Sequence, residues 1–212
     1  MMNILTTGAN RGIGAALAAE AEARGHSVIR HGRTSGDVAC DLAALDTIPA
    51  AFGAIEGPVD VLINNAGIIG PAMSAGDGLE AHGFEQTFRI NTFAPLAVAH
   101  ALLPALRQSD APRILNVSSQ MSWMGYAKSD RIAYRASKAA LNKEMQGLAT
   151  DLAPDAIPVV LLDPGWVRTD MGGDTAEEDP VAVARGFLDI ADRLTIADTG
   201  KFFRFSGEER AF

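Results

Sequence analysis

Thr7-Gly8-Ala9-Asn10-Arg11-Gly12-Ile13-Gly14 is the stretch that decides the fold. A short apolar run, residues 3–7, leads into it, and an Ala-rich segment follows at once. Glycines at 8, 12 and 14 let the chain turn tightly, bring backbone close to a pyrophosphate and let the next helix pack against the strand. The helix start adds free N–H groups and the positive end of its dipole. A glycine-rich turn alone is a weak signal; the strand before it and the helix after it give it meaning.

Outward from this turn, apolar runs of strand length recur at residues 27–30, 37–40, 59–63, 113–117, 158–162 and 201–205. Ala- and Leu-rich segments of helical length lie at 13–24, 84–107, 133–152 and 181–194. The alternation predicts an α/β protein: a doubly wound Rossmann fold with a parallel sheet of about seven strands and helices on both faces, in one domain over residues 1–212. Residues 84–107 are apolar nearly all round, so they are expected to pack on the sheet and on a further body. With 133–152 they form the expected surface of a homo-oligomer, a homodimer in its simplest form. Pro95 has no N–H and so frees the carbonyl of Asn91, as Pro104 frees that of His100. The Gly- and acid-rich stretches 70–83 and 172–180 read as mobile loops.

With 212 residues, 48% of them hydrophobic, the chain can bury a core, and a single cysteine excludes a disulfide or zinc framework. Cys40 reads as a small buried hydrophobe in a reducing compartment. The net charge of -8 argues against nucleic acid or an anionic membrane as a partner. The opening residues lack the pattern of a secretory signal and no apolar run approaches the roughly 20 residues of a membrane span, so a soluble, cytoplasmic protein is expected.

The second strand ends Ile29-Arg30-His31-Gly32-Arg33, where a fold preferring NAD usually carries an acidic residue for the ribose 2′-hydroxyl. None stands there. Gly32 leaves room for an added phosphate, and Arg33 with Arg11 could neutralise it, which points to NADP(H) ahead of NAD(H). Asp41-Leu42 and Asn64-Asn65-Ala66-Gly67 follow the third and fourth strands, at the sheet edge where ligands bind.

The fifth strand runs into Asn116-Val117-Ser118-Ser119, and Tyr134-Arg135-Ala136-Ser137-Lys138 opens a later helix. The spacing of Tyr134 and Lys138 puts them on one helical face. A tyrosine near pH 7 is a poor acid or base, and an adjacent ammonium lowers its pKa, so such a pair can pass a proton to or from an oxygen. In isolation the pair would better suit an amphipathic helix with one half-buried tyrosine and one surface lysine.

The strings TGANRGIG, NNAG, VSS, YRASK and DPGWVRTD stand in the order and spacing of the short-chain dehydrogenase/reductase family, and the resemblance covers essentially the whole chain. TGANRGIG, YRASKAALN and DPGWVRTDMGG are most similar to its C-factor and sniffer-type carbonyl reductases. The resemblance implies that Tyr134 is the acid/base at the substrate oxygen, that Lys138 lowers its pKa and bonds the nicotinamide ribose, and that Ser119 orients the same oxygen. It gives Asn91 a main-chain carbonyl that holds a water leading to the lysine, the carbonyl that Pro95 frees. Gly8, Asn10, Arg11, Gly12, Ile13 and Gly14 would line the pyrophosphate and ribose, Asp41 and Leu42 the adenine, Asn65, Ala66 and Gly67 the central ribose, and Pro164, Gly165, Val167 and Thr169 the nicotinamide. The family's serine usually stands nearer its tyrosine, at a place held here by Met121, so Ser118 and Ser122 remain alternatives to Ser119.

Met121, Trp123, Met124 and Trp166 suggest an apolar pocket for a ketone, aldehyde or quinone, and the acidic stretch 171–180 a flap over the nicotinamide with little affinity for anions. Only residues 170–199 remain between the last motif and the final strand, which predicts a shallow, open site of broad substrate choice. The expected activity is NADP(H)-dependent interconversion of a carbonyl and an alcohol. Its rivals are a non-catalytic dinucleotide-binding regulator or signal protein, and an epimerase or dehydratase on the same scaffold.

Overall fold

The computed structural model describes residues 1–212. Its strands are β1 (Asn3–Thr6), β2 (Ser27–Gly32), β3 (Val38–Ala39), β4 (Val61–Asn64), β5 (Arg113–Val117), β6 (Val159–Asp163), β7 (Phe202–Arg204) and β8 (Glu209–Arg210). They form one sheet in the order β3-β2-β1-β4-β5-β6-β7-β8. The first seven are parallel, as expected, and β8 adds an antiparallel edge on β7 that the sequence reading did not foresee.

The helices are α1 (Gly12–Ala23), α2 (Ile48–Gly53), α3 (Ala81–Phe88), α4 (Ala94–Leu106), α5 (Ile132–Leu152) and α6 (Pro180–Arg193). Alternation along the strands divides the core. Ile4, Val61, Ile63, Leu115 and Leu162 turn to α1 and α6, whereas Leu5, Leu62, Ile114 and Leu161 turn to α2, α4 and α5. Every central strand is apolar on both sides because both faces are covered. Cys40 is buried. The short helix α2, started by a Pro near its N-terminus, was too brief to declare itself by periodicity.

The helix expected over 84–107 is interrupted. Residues Arg89–Phe93 wind as a π-helical segment in which Ala94 N–H donates to Arg89 O, and α4 begins just before Pro95. Proline lacks the N–H and crowds the carbonyl four residues back, so the ladder widens there. The loop over 70–83 is tied down more than its composition suggests: Ala75 N–H donates to Ser129 O at 3.2 Å, and Ile132 N–H to Met73 O at 3.2 Å. No helix is long and apolar enough to cross a membrane.

The strand order reverses between β1 and β4, which opens a crevice at their carboxyl ends. Phe187 of α6 is fully buried on the α1 side of the sheet. Phe187→Ala is expected to cost about 3–5 kcal/mol of unfolding free energy in urea titration, since the residual cavity adds to the lost transfer energy; a loss below 1 kcal/mol would contradict this packing.

Candidate active site

A cleft of about 980 Å³ runs along this carboxyl edge. Gly8, with φ +66°, turns the chain where a Cβ would come within 3.0 Å of Ala66 Cα. No side chain caps α1 and no acidic residue stands in its first turn, so its N-terminus faces the cleft as an open anion site. Gly14 is not among the residues lining the cleft: a Cβ there would strike Gly8 O and the Asn65 amide, so the close packing under the turn requires glycine. Two residues not singled out hold the turn. Thr7 Oγ1 accepts from Asn65 N at 2.9 Å and Ala66 N at 3.0 Å. His31 Nδ1 accepts from Gly8 N at 3.2 Å while its Nε2–H donates to Cys40 O at 2.9 Å, and burial holds its pKa below the usual imidazole value.

At the far end lie Arg33, Asp41 and Leu42. Exposed Arg33 Nε is 3.9 Å from Asp41 Oδ1, and exposed Arg11 pairs with Asp170 at 3.3 Å across the cleft. Pairs this solvated hold weakly. The room expected above Gly32 is taken by the Asn10 side chain, which reaches over to Ser35 Oγ at 3.1 Å.

The chemical end is built on β5, β6 and α5. Tyr134 and Lys138 are both buried and both line the cleft. Lys138 Nζ donates to Val117 O at 2.7 Å, and burial pushes its pKa down to about 8. The Tyr134 phenol is pushed up to about 12, chiefly by burial; a hydrogen bond with Ser119 acts against the rise and the charge of Asp163 adds to it. The expected lowering by Lys138 is therefore not what the chain itself produces. Desolvation prevails, and the ammonium is turned toward Val117, 5.9 Å from the phenol ring centre.

Hydrogen bonding separates the three serines. Ser118 donates to Asn142 Oδ1 at 2.5 Å. Ser122 donates to Ser119 O at 2.6 Å and accepts from Asn142 Nδ2 at 2.8 Å. Both hydroxyls are committed to the framework; Ser119 Oγ accepts from Met121 N at 3.1 Å, lines the cleft with Tyr134 and is the serine that acts on the phenol's pKa. Asn91 does not reach the cleft. Its side chain accepts from Ile68 N at 2.9 Å and donates to Ile68 O at 2.8 Å and Ser137 Oγ at 3.1 Å, clamping the strand after β4 to α5.

Asn10, Arg11, Gly12, Ile13, Asn65, Ala66, Gly67, Pro164, Gly165, Val167 and Thr169 all line the cleft. Of the apolar set, Met121 and Trp166 line it, while Trp123 and Met124 do not. The lining also includes Tyr126, Lys128, Asp130, Arg131 and Arg135, so the cleft is more polar and more cationic than expected. Of stretch 171–180, only Met171 and Gly172 reach the cleft; Glu178 is bonded to Trp166 and Arg168 through its backbone, and Asp179 caps α6.

The family model described as short chain dehydrogenase matches residues 2–180. The chain belongs to the short-chain dehydrogenase family. C-signal of Myxococcus xanthus is 44% identical to it over 161 residues, 75% of this chain and 96% of that protein. Carbonyl reductase Sniffer of D. melanogaster aligns with a TM-score of 0.92 and 27% identity, over 100% of both chains. The NADPH-bound carbonyl reductase from chicken fatty liver aligns at 0.90 and 26%, over 100% of this chain and 99% of that one. The chain is thus an NAD(P)-dependent short-chain dehydrogenase/reductase, similar to the C-factor and sniffer types.

Because the folded chain lowers the Lys138 pKa from 10.5 to about 8, the protonated side chain costs stability below pH 8, and the cost fades as pH rises to 10.5. Lys138→Met, compared with the parent by urea unfolding, is expected to be favoured at pH 7 over pH 10.5 by up to about 3 kcal/mol. A difference that does not change with pH would contradict the buried ammonium.

Proposed function

We propose that the chain is an NADP(H)-dependent carbonyl reductase, acting in reverse as an alcohol dehydrogenase, on a ketone, aldehyde or quinone. The observation that carries this reading is the buried Tyr134 phenol, which shares the wall of one cleft with Ser119 and Lys138, beside an uncapped helix start. A cleft of about 980 Å³ with a glycine turn at its middle suits a dinucleotide.

In this reading Gly8, Asn10, Arg11, Gly12 and Ile13 hold the pyrophosphate and ribose, Asp41 and Leu42 the adenine, Asn65, Ala66, Gly67 and Lys138 the ribose toward the reacting end, and Pro164, Gly165, Val167 and Thr169 the nicotinamide. Arg33 and Arg11 release weak surface pairs to take the 2′-phosphate. The bound cofactor supplies or accepts the hydride. Tyr134 keeps its proton at neutral pH, so its Oη can donate to the substrate oxygen as negative charge builds there. Ser119 offers that oxygen a second hydrogen bond, and Lys138 brings a positive charge under the ring. Asn91 acts by holding the cleft wall, beside the water-holding role that the resemblance gives its carbonyl.

Met171 and Gly172 form the part of the 171–180 stretch that would cover the nicotinamide, and the open mouth favours broad substrate choice. The same reading includes a cytoplasmic location and a homo-oligomer through 84–107 and 133–152, with half-exposed Phe93 on that surface. A second reading, a signal protein that binds the dinucleotide without turnover, is favoured by the likeness to C-signal.

NADPH oxidation against aldehydes, ketones and quinones tests the choice. Turnover is expected with at least one class, with losses of about 10²–10⁴-fold in Tyr134→Phe and a smaller loss in Ser119→Ala; tight NADPH binding with no turnover would favour the signal protein. Calorimetric titration is expected to give tighter binding of NADPH than of NADH, with Arg33→Ala weakening NADPH about tenfold and leaving NADH unchanged. Equal or tighter NADH binding would overturn the cofactor assignment.

A further inference from the structure

Asp163 ends β6 with no solvent exposure, and nothing in the proton chemistry above uses it. Its Oδ1 accepts from Gln120 N at 3.2 Å and from Gly165 N at 3.0 Å. One carboxylate oxygen thus ties the turn after Ser119 to the Pro164-Gly165 loop. Its Oδ2 lies 2.8 Å from Arg210 Nε, and neither atom has a hydrogen-bond partner elsewhere, so the contact is charge against charge. A carboxylate buried this fully needs its counter-charge, because removing one partner leaves an uncompensated ion.

Arg210 reaches it through the fold's last pairing, in which β8 lies antiparallel on β7 with Arg210 opposite Phe202. Phe202 in turn stands opposite Leu161, on the sheet face that carries α5 and Tyr134. The same hairpin grips the loop a second time: Arg204 holds Glu178 at 2.6 Å, and Glu178 lies over Gly165.

We propose that Asp163 and Arg210 are a positioning pair for the proton donor, in which Asp163 fixes the two loops beside Tyr134 and Arg210 screens the carboxylate charge from the phenol. The consequence for turnover rests on the role given to Tyr134 above. On the phenol's own helix, Lys138 Nζ stands 5.9 Å from its ring centre, while Arg135 is paired with Asp130 at 2.9 Å and lies over the ring of Tyr126. His82, Glu85, Arg89 and His100, on the neighbouring helical segments, are exposed. The charge of Asp163 adds to the raised pKa of Tyr134, so the pair controls one of its causes.

The chain holds two tyrosines, Tyr126 and Tyr134, so in a Tyr126→Phe background phenolate absorbance reports Tyr134 alone. Stopped-flow pH jumps read it before the protein unfolds. Asp163→Asn keeps an oxygen for both N–H groups and removes the charge, and it is expected to lower the Tyr134 titration by about one unit. Arg210→Met, which exposes the phenol to the bare carboxylate, is expected to raise it, and Arg210→Lys to restore it. The double variant Asp163→Asn/Arg210→Met is expected to titrate with Asp163→Asn, since no carboxylate is left to screen. Damage to the fold would shift the single variants in the same direction; such a result, or no shift in either, would overturn the proposal. The titration needs no substrate. These shifts in a chain without carbonyl turnover would overturn the proposed function and leave the pair intact, and turnover without them would do the reverse.

Discussion

Lys138 Nζ donates to Val117 O at 2.7 Å, nine-tenths or more out of solvent, and the site depends on that contact. It fastens α5 to the tip of β5. With Lys138 anchored, the helix has one choice of rotation, and the residue one turn back, Tyr134, faces the same cleft. Burial then sets the proton inventory: the ammonium is eased toward release and the phenol toward retention. A phenol that keeps its proton at neutral pH is a donor waiting for an acceptor, and of the three serines Ser119 is the one whose hydroxyl is not tied to Asn142.

Under this surface lies a second layer of buried polar groups that fixes the strand ends. Asn64 donates to Asn116 at 2.9 Å and to Pro95 O at 3.2 Å, and Asn116 passes on to Val160 O at 3.2 Å, linking β4, β5, β6 and α4. Thr7 and Asn65 do the same between β1 and the loop after β4. Satisfied networks of this kind hold a site more rigidly than apolar packing would, because each partner lost leaves a buried group unpaired. The glycine turn can therefore stay free of side-chain caps while remaining rigid.

The alternation of strands and helices along the chain, the parallel sheet, the glycine turn and the Tyr134–Lys138 face were all legible, because each is written in local residue types and fixed spacings. Residues 113–117 coincide with β5 to the residue. Less legible were features that exist only once distant segments meet. Ser118, Ser119 and Ser122 are alike in sequence, and it is Asn142, a residue with no signal of its own, that ties up Ser118 and Ser122. His31 reads as a strand residue until its ring is seen under Gly8. Asp163 was visible inside DPGWVRTD, but its partner Arg210 lies on a strand of two residues, too short for any pattern. The phenol's pKa went the other way from the sequence expectation for the same reason: spacing reveals a neighbouring charge but not the burial that outweighs it.

The central claim is that this cleft passes a hydride to a carbonyl carbon while Tyr134 protonates its oxygen. The most direct measurement uses NADPH carrying deuterium at both positions on C4 of the nicotinamide, a ketone or aldehyde that supports turnover, and mass analysis of the alcohol formed. The account predicts one deuterium on the carbinol carbon of every product molecule. Product without deuterium, or a labelled cofactor recovered unchanged beside altered substrate, would contradict it.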